Sequence, residues 1–266
     1  MQQRHVNRKQ YFTEQAYTTK VHVIPYIEAH KPITEQSIVL EIGCGEGGNL
    51  VPFLDRGCTV YGIDLSDHKI GKARDYFKEI PGSERSHFIC EDIYNISDQT
   101  LPKADLIIMR DVIEHIPNQD RFMGFLKKFL KDDGHIFFGF PPWYMPFGGH
   151  QQVCKNKWLS KLPYFHLLPT FIYTRILSLG GESEQRINNL IEVKETGISI
   201  ERFRRILKKH SYRTVRETSW LFNPNYEAKF NLKPRKQLSI ISSIYFFRNF
   251  FTTCLYSLVT LDEKAS

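Results

Sequence analysis

Val39-Leu40-Glu41-Ile42-Gly43-Cys44-Gly45-Glu46-Gly47-Gly48 is the stretch that decides the fold. An apolar run closes on an acid, Glu41, and glycines then alternate with other residues. The next apolar run, Cys58 to Leu65, has Asp64 near its end. The order reads strand, glycine loop, helix, strand, acid. Parallel α/β sheets gather their ligand-binding groups in this way, at the carboxyl ends of the strands.

Outward from this centre, strands and helices alternate. Ser37 to Ile42 reads as a strand, and Gly48 to Arg56 as a helix with Pro52 in its first turn. Thr59 to Asp64 is a second strand. Ser66 then caps a helix with Ile70, Ala73 and Phe77 inward. His87 to Cys90 and Asp105 to Met109 are the third and fourth strands. Phe122, Phe125, Leu126, Phe129 and Leu130 form the stripe of a buried helix. Asp132-Asp133-Gly134 is expected to turn the chain into a fifth strand, His135 to Phe140. Four such alternations predict a parallel sheet wound by right-handed crossovers.

Upstream, Ala16 to His30 is expected to be a helix with Val21, Ile24 and Ile27 on one face. Downstream, the alternation stops between Pro141 and Gly197. That stretch reads as an inserted lid with helices near Lys155 to Leu162, Thr170 to Leu179 and Ser183 to Val193. Ser199 caps a further helix with Ile200, Phe203, Ile206 and Leu207 inward, and Tyr212 to Leu221 alternates like a strand. The organisation expected is a single domain. Residues 1–34 form a cap, 35–140 a ligand-binding core, 141–197 the lid and 198–266 the remainder of the core.

Composition sets the outer bounds. The chain has 266 residues, 41% hydrophobic and 24% charged, enough for one sizeable core with an insertion. A net charge of +7 permits anionic partners without requiring them. Cys44, Cys58, Cys90, Cys154 and Cys254 show no C-x-x-C spacing. They read as reduced thiols of a cytoplasmic protein, not as a metal site. Met1 to Lys20 has no apolar signal core. Leu238 to Leu261 is the one long apolar run, and Arg248 and Asn249 interrupt it, which counts against a membrane span.

Gly43, Gly45 and Gly48 alone satisfy G-x-G-x-x-G, a spacing that dinucleotide sites share. Three features point elsewhere. Glu41 sits two residues before the first glycine, where an acid suits a cationic ligand better than a pyrophosphate. Glu91-Asp92-Ile93 ends the third strand, so an acid and an aliphatic residue meet there, as an adenine edge and face require. Asp105-Leu106-Ile107-Ile108, followed by Asp111-Val112-Ile113-Glu114-His115-Ile116, has no counterpart in the dinucleotide fingerprint.

With these motifs in their order, Ser37 to Phe140 resembles the class I S-adenosylmethionine-dependent methyltransferases, small-molecule branch, typified by ubiquinone-biosynthesis O-methyltransferases. The resemblance implies a Rossmann-like α/β fold. Its seven-stranded, mostly parallel sheet has an antiparallel last strand and helices on both faces, and Thr253 to Leu261 is the natural source of that strand. The resemblance also implies S-adenosyl-L-methionine as cofactor. Glu41, Gly43, Cys44, Gly45 and Gly47 would lie along its methionine part. Asp64 would take the ribose hydroxyls with Leu65 beside the adenine, and Asp92 and Ile93 would meet the adenine edge. Arg110 falls where the family's backbone meets the methionine amine. Glu114-His115 matches the start of the next helix.

The acceptor is less legible. The Asn/Asp-Pro-Pro-aromatic run of enzymes that methylate exocyclic base amines is absent after the fourth strand. There is no Pro-Cys pair and no recognisable RNA-binding module, so no nucleic acid is expected. The walls of an acceptor pocket are expected from Gln10 to Tyr26, Pro141 to Gly197 and Phe222 to Lys236. His150, after Gly148 and Gly149, is the candidate base for an oxygen acceptor. Trp143, Tyr144 and Phe147 suit an aromatic or lipid-like molecule. No metal is expected. Ser239 to Phe251 could still touch lipid, so peripheral membrane contact stays open. The reading is a methyltransferase for a small, hydrophobic or envelope-related acceptor, O-methylation first. The alternatives are a cofactor-binding module without turnover, a nucleic-acid or protein methyltransferase, and a nicotinamide oxidoreductase.

Overall fold

The structure, a computed structural model, describes residues 8–97 and 100–262. One sheet organises them. Its strands are β1 (Ile38–Ile42), β2 (Thr59–Asp64), β3 (Ser86–Cys90), β4 (Ala104–Arg110), β5 (Leu130–Phe140), β6 (Tyr212–Phe222), β7 (Arg235–Lys236) and β8 (Cys254–Leu261). The order is β3-β2-β1-β4-β5-β8-β6-β7. Strands β1 to β5 pair in parallel. β8 inserts between β5 and β6, antiparallel to both. The seven strands expected are all present, the last of them antiparallel, and the two-residue β7 adds an eighth at the edge.

Ten α-helices surround the sheet among the described residues. They are α1 (Arg8–Thr18), α2 (Ile24–Glu28), α3 (Val51–Leu54), α4 (Asp67–Phe77), α5 (Gln119–Leu126), α6 (Thr170–Leu179), α7 (Glu184–Thr196), α8 (Ile200–Lys209), α9 (Asn225–Phe230) and α10 (Ser239–Ser243). Strand residues alternate between two cores. Leu106 and Ile108 face one side with Ile24, Ile27, Phe53, Ile70 and Phe77. Ile107 and Met109 face the other with Phe122, Leu126, Phe203 and Ile206. Both faces are covered, so the central strands are predominantly apolar, with charged residues such as Glu41 and Arg110 near their carboxyl ends. Ser66 and Ser199 cap α4 and α8 as expected, accepting bonds from the Lys69 and Arg202 amides.

Several local expectations need correction. The N-terminal helix starts at Arg8 and passes through a π-turn, Thr19–Val23, before α2. The wider turn rotates the buried face, so Val23 packs inside and Val21 is 41% exposed. The helix expected over Gly48 to Arg56 shortens to α3, because Gly47 and Gly57 both adopt positive φ at its borders. Leu130 is not the last residue of a helical stripe; it opens β5. Asp132-Asp133-Gly134 do not turn the chain into that strand but lie within it, where the register against β4 shifts between Ala104 and Leu106. Lys155 to Leu162 contains a short 3-10 turn, Leu159–Lys161, in place of a helix.

The insertion after β5 has a small core of its own, including Leu159, Phe165, Tyr173, Leu177 and Leu190. Its end is tied to the segments that leave β4 and β5. Thr196 Oγ1 donates to the Glu114 carbonyl at 2.6 Å, and the Trp143 amide donates to the Ile198 carbonyl at 2.9 Å.

Candidate active site

A cleft of about 860 Å³ runs along the carboxyl ends of β1 to β4. Gly43, Asp64, Leu65, Asp92 and Ile93 line it, together with Lys69, Tyr94, Asp111, Val112 and His115. Five of the residues singled out from the sequence thus meet on one surface. Asp64 is fixed at the end of β2: the Gly45 amide donates to its Oδ2 and the Ser66 amide to its Oδ1, both at 2.9 Å. Lys69, one turn into α4, approaches Oδ2 at 3.8 Å. Leu65 is 75% exposed, an apolar surface without a protein neighbour to cover it. Asp92 caps the short turn that follows β3, accepting from the Tyr94 amide.

The glycines divide by role. Gly45 has φ +56°, and a Cβ there would meet nothing nearer than Lys69 Cδ at 4.0 Å, so the loop is open on that side. Gly43 has φ +71°, and a Cβ would meet Val112 at 2.5 Å. Gly47 faces the rings of Phe77 and Phe88, away from the cleft. Cys44 likewise buries its thiol in the core, leaving only its backbone to the loop.

Behind the glycine loop lies a buried polar network that the sequence did not announce. The Asn49 amide donates to Glu41 Oε1 at 2.5 Å. Arg110, the last residue of β4, donates to Thr19 Oγ1 at 3.0 Å and to Asn49 Oδ1. Thr19 Oγ1 also donates to Asn49 Oδ1, at 2.9 Å. Glu41 Oε2 is buried with no hydrogen-bond partner. Burial raises the Glu41 carboxyl to about 8, against the lowering influence of Asn49 and Arg110. A buried carboxyl with one oxygen unsatisfied fits a ligand that brings a cation. The π-turn supplies Thr19, and α1 is held over the loop by Arg8, whose Nε donates to Glu46 Oε1 at 2.6 Å. A Cβ at Gly48 would meet the Phe12 carbonyl at 2.5 Å, so that glycine permits the close approach of α1.

Beside His115, which lines the cleft, His150 adopts φ +56° and sets its ring 4.9 Å from that of His115, edge to face, without itself lining the cleft. Burial, and then the imidazoles of His115 and His166, lower the His150 pKa to about 3. The ring is therefore neutral at pH 7 and has a lone pair to offer. Glu114 is buried with neither carboxyl oxygen hydrogen-bonded, and His115 Nε2 lies 4.0 Å from its Oε1. Its pKa is raised, by burial first and then by the charge of Asp111. One ligand atom each from Glu114, His115 and His150 lies within 4.8 Å of the others, a spacing that a divalent ion would accept. Trp143 packs edge-on against His166 and does not line the cleft, and Tyr144 meets Phe246 and Phe250. Gly148 and Gly149 let this loop fold tightly: a Cβ would meet the Trp143 carbonyl at 2.1 Å or His166 Cβ at 2.2 Å.

Known proteins share the fold and part of the sequence. The ubiquinone biosynthesis O-methyltransferase of Idiomarina loihiensis is 29% identical over 113 residues, which is 42% of this chain and 46% of that protein. The one from Agrobacterium fabrum is 32% identical over 114 residues, 41% of this chain and 42% of that protein. The matched stretch thus spans less than half the length of these curated relatives. The plantazolicin methyltransferase BpumL, in complex with a triazolic desmethylPZN analog and SAH, has a TM-score of 0.56 at 14% identity, over 97% of this chain and 88% of that one. The magnesium protoporphyrin IX methyltransferase of Synechocystis PCC 6803, with bound SAH, has a TM-score of 0.55 at 15% identity, over 94% and 84%. Identities so low establish the shared fold alone. Residues 11–167 match the family described as Methyltransferase domain. With more than half of its length inside that match, the chain belongs to the methyltransferase domain family, as a class I, S-adenosylmethionine-dependent member.

Proposed function

We propose that this chain transfers a methyl group from S-adenosylmethionine to an oxygen of a small, hydrophobic acceptor, in the cytoplasm and without a metal ion. The unpartnered, buried Glu41 Oε2 beside the open glycine loop carries the reading of the cofactor site. Bound there, S-adenosylmethionine supplies an electrophilic methyl on a sulfonium sulfur. Glu41 would ionise against the methionine ammonium. The Arg110 guanidinium would draw the methionine carboxylate, Asp64 would accept from the ribose hydroxyls, and Asp92 with Ile93 would hold the adenine. Cys44 and Gly47 would contribute backbone shape only.

His150 would take the acceptor's proton at a ring nitrogen. A base whose pKa is about 3 is weak, so the proton must be taken as the new bond forms and not beforehand. The insertion 141–197 would close over the acceptor and exclude water. The names of the two curated relatives support an oxygen acceptor.

The test is calorimetric titration with S-adenosylmethionine, its demethylated product and NAD, followed by screening of metabolite and lipid extracts for methyl acceptance. Binding of the first two and not of NAD, with turnover on an extract component, is the expected result. Binding without turnover on any extract would favour a cofactor-binding module. Turnover abolished by a chelator and restored by a divalent cation would instead give Glu114, His115 and His150 the role of ligands.

A further inference from the structure

The segment between β7 and β8 is built inside out. Its largest polar side chains are buried while its serines stay outside: Gln237 and Arg248 are each 8% exposed, and Asn249 and Thr252 are fully enclosed. Most of its apolar side chains face outward. Ile240 is 69% exposed, Tyr245 70%, Leu238 61% and Phe247 46%. In water this is the reverse of the stable arrangement, and a cluster of exposed large apolar residues marks a surface that something else covers.

The arrangement is held in place. Arg248 Nε donates to Glu201 Oε1 at 3.0 Å, and Asn249 Nδ2 donates to Glu201 Oε2 at 2.6 Å. The Phe246 amide donates to Glu201 Oε1 at 3.0 Å, and the Ile200 amide donates to Asn249 Oδ1 at 2.9 Å. These bonds tie the segment to the start of α8, itself packed on the sheet. Phe246 is forced to φ +62°, a costly conformation for a bulky residue, and the fixed segment holds it there. The outward display of Ile240, Tyr245 and Phe247 is therefore a fixed feature, and not the fraying of a loose loop.

Charge identifies what covers it. From Ala228 to Leu261 the chain contains no acidic residue and five basic ones. Lys233, Arg235 and Lys236 lie exposed just before the apolar patch. Aromatic and aliphatic tips with adjacent cations match the boundary between acyl chains and anionic headgroups. No helix among the described residues is long and apolar enough to cross a membrane, so the segment would lie on the surface. We propose that Leu238 to Phe251 docks this protein on an anionic lipid bilayer. The patch adjoins the acceptor side: Tyr144, in the loop that leads to His150, packs against Phe246 at 4.7 Å and Phe250 at 5.6 Å. Docking there brings the loop that carries His150 close to molecules dissolved in the bilayer.

Cosedimentation of the full chain with vesicles tests this, using phosphatidylcholine alone and phosphatidylcholine mixed with phosphatidylglycerol. The wild type is expected to bind the anionic vesicles and to be released by salt. The combined variant Ile240→Ser, Tyr245→Ser, Phe247→Ser and the combined variant Lys233→Glu, Arg235→Glu, Lys236→Glu should each weaken binding by about tenfold or more. These side chains are exposed, and an unchanged thermal melt checks that both variants fold. Tyr245→Trp gives an independent reading, its fluorescence shifting to the blue on anionic vesicles. Failure of the wild type to sediment with anionic vesicles would overturn the proposal, as would equal binding by the folded serine variant. A wild-type dimer in light scattering that the serine variant dissociates, with no vesicle binding, would make the patch a contact between two copies of the chain.

Discussion

Two carboxyls are buried near the carboxyl ends of neighbouring strands, Glu41 in β1 and Glu114 just after β4, and their surroundings differ. Glu41 stands in a connected network: Asn49 bonds it, Arg110 and Thr19 bond Asn49, and a single oxygen is left without a partner. Glu114 has neither oxygen bonded and sits among Asp111, His115 and His150. The first region is organised around one missing positive charge. The second has several polar groups with unmet demands, and its organisation depends on what enters it. In the proposed reading the first would be the cofactor's site, nearly completed in advance by the protein, and the second the acceptor's.

That contrast can be broken at its weaker side first. Replacing His150 by Ala should lower methyl transfer by roughly 10²- to 10⁴-fold, the usual range for a lost general base, with cofactor affinity unchanged. Turnover with an acceptor identified from extracts, beside a calorimetric titration, checks both halves. A variant within a few-fold of wild type would leave the proton to another group.

On the cofactor side, Asp64→Ala should weaken S-adenosylmethionine binding by about 100-fold. Two charge-assisted hydrogen bonds are worth roughly 3 kcal/mol together. Calorimetry measures it, and retained thermal stability separates lost contacts from lost fold.

Glu41 sharpens the comparison through protons. Its pKa of about 8 means that the free protein holds it largely protonated at pH 7. A bound ammonium would ionise it, so binding at pH 7 should release close to one proton, and affinity should rise with pH until about 8. Titrations in buffers of different ionisation enthalpy reveal the release, and Glu41→Gln should abolish it. The same raised pKa has a cost for the free protein. The unfolded chain deprotonates Glu41 near 4.5 and the folded one near 8, so this group's contribution to stability falls as pH rises between those values.

His150 works in the opposite sense. Its folded pKa of about 3 lies below the ordinary 6.5, so the unfolded chain binds the extra proton and stability falls as pH drops from about 6.5 toward 3. His150→Ala should flatten that part of a urea-midpoint profile against pH. The smallest effect expected is at the cap of α4. Ser66→Ala removes the bond from the Lys69 amide and should cost about 1 kcal/mol in denaturant unfolding.

The cofactor half of the chain was legible because its signals are local. A strand, a positive-φ glycine and an acid at the next strand's end are neighbours in sequence, so Gly43, Asp64, Leu65, Asp92 and Ile93 could be read together from the sequence, and the structure sets all five along one cleft. Period also served for α4 and α8, whose buried residues match the expected stripes. It failed where backbone geometry departs from the regular: the π-turn at Thr19–Val23 turned Val21 outward, and the bulge at Asp132 to Gly134 left no trace in hydrophobicity. Cys44 and Gly47 belonged to the right motif, but only the fold shows their side-chain positions facing the core.

What the sequence determined by itself is the alternation of strands and helices, the glycine loop and the acids at the strand ends, since each depends on residues close along the chain. Only the tertiary structure joined Thr19, Asn49 and Arg110 to Glu41, across as many as 91 residues, and brought His115 beside His150. It alone turned Arg248 and Asn249 inward and the aromatics around them outward. Such pairings have no period to betray them: they form because a buried polar group must find its partner wherever the fold delivers one.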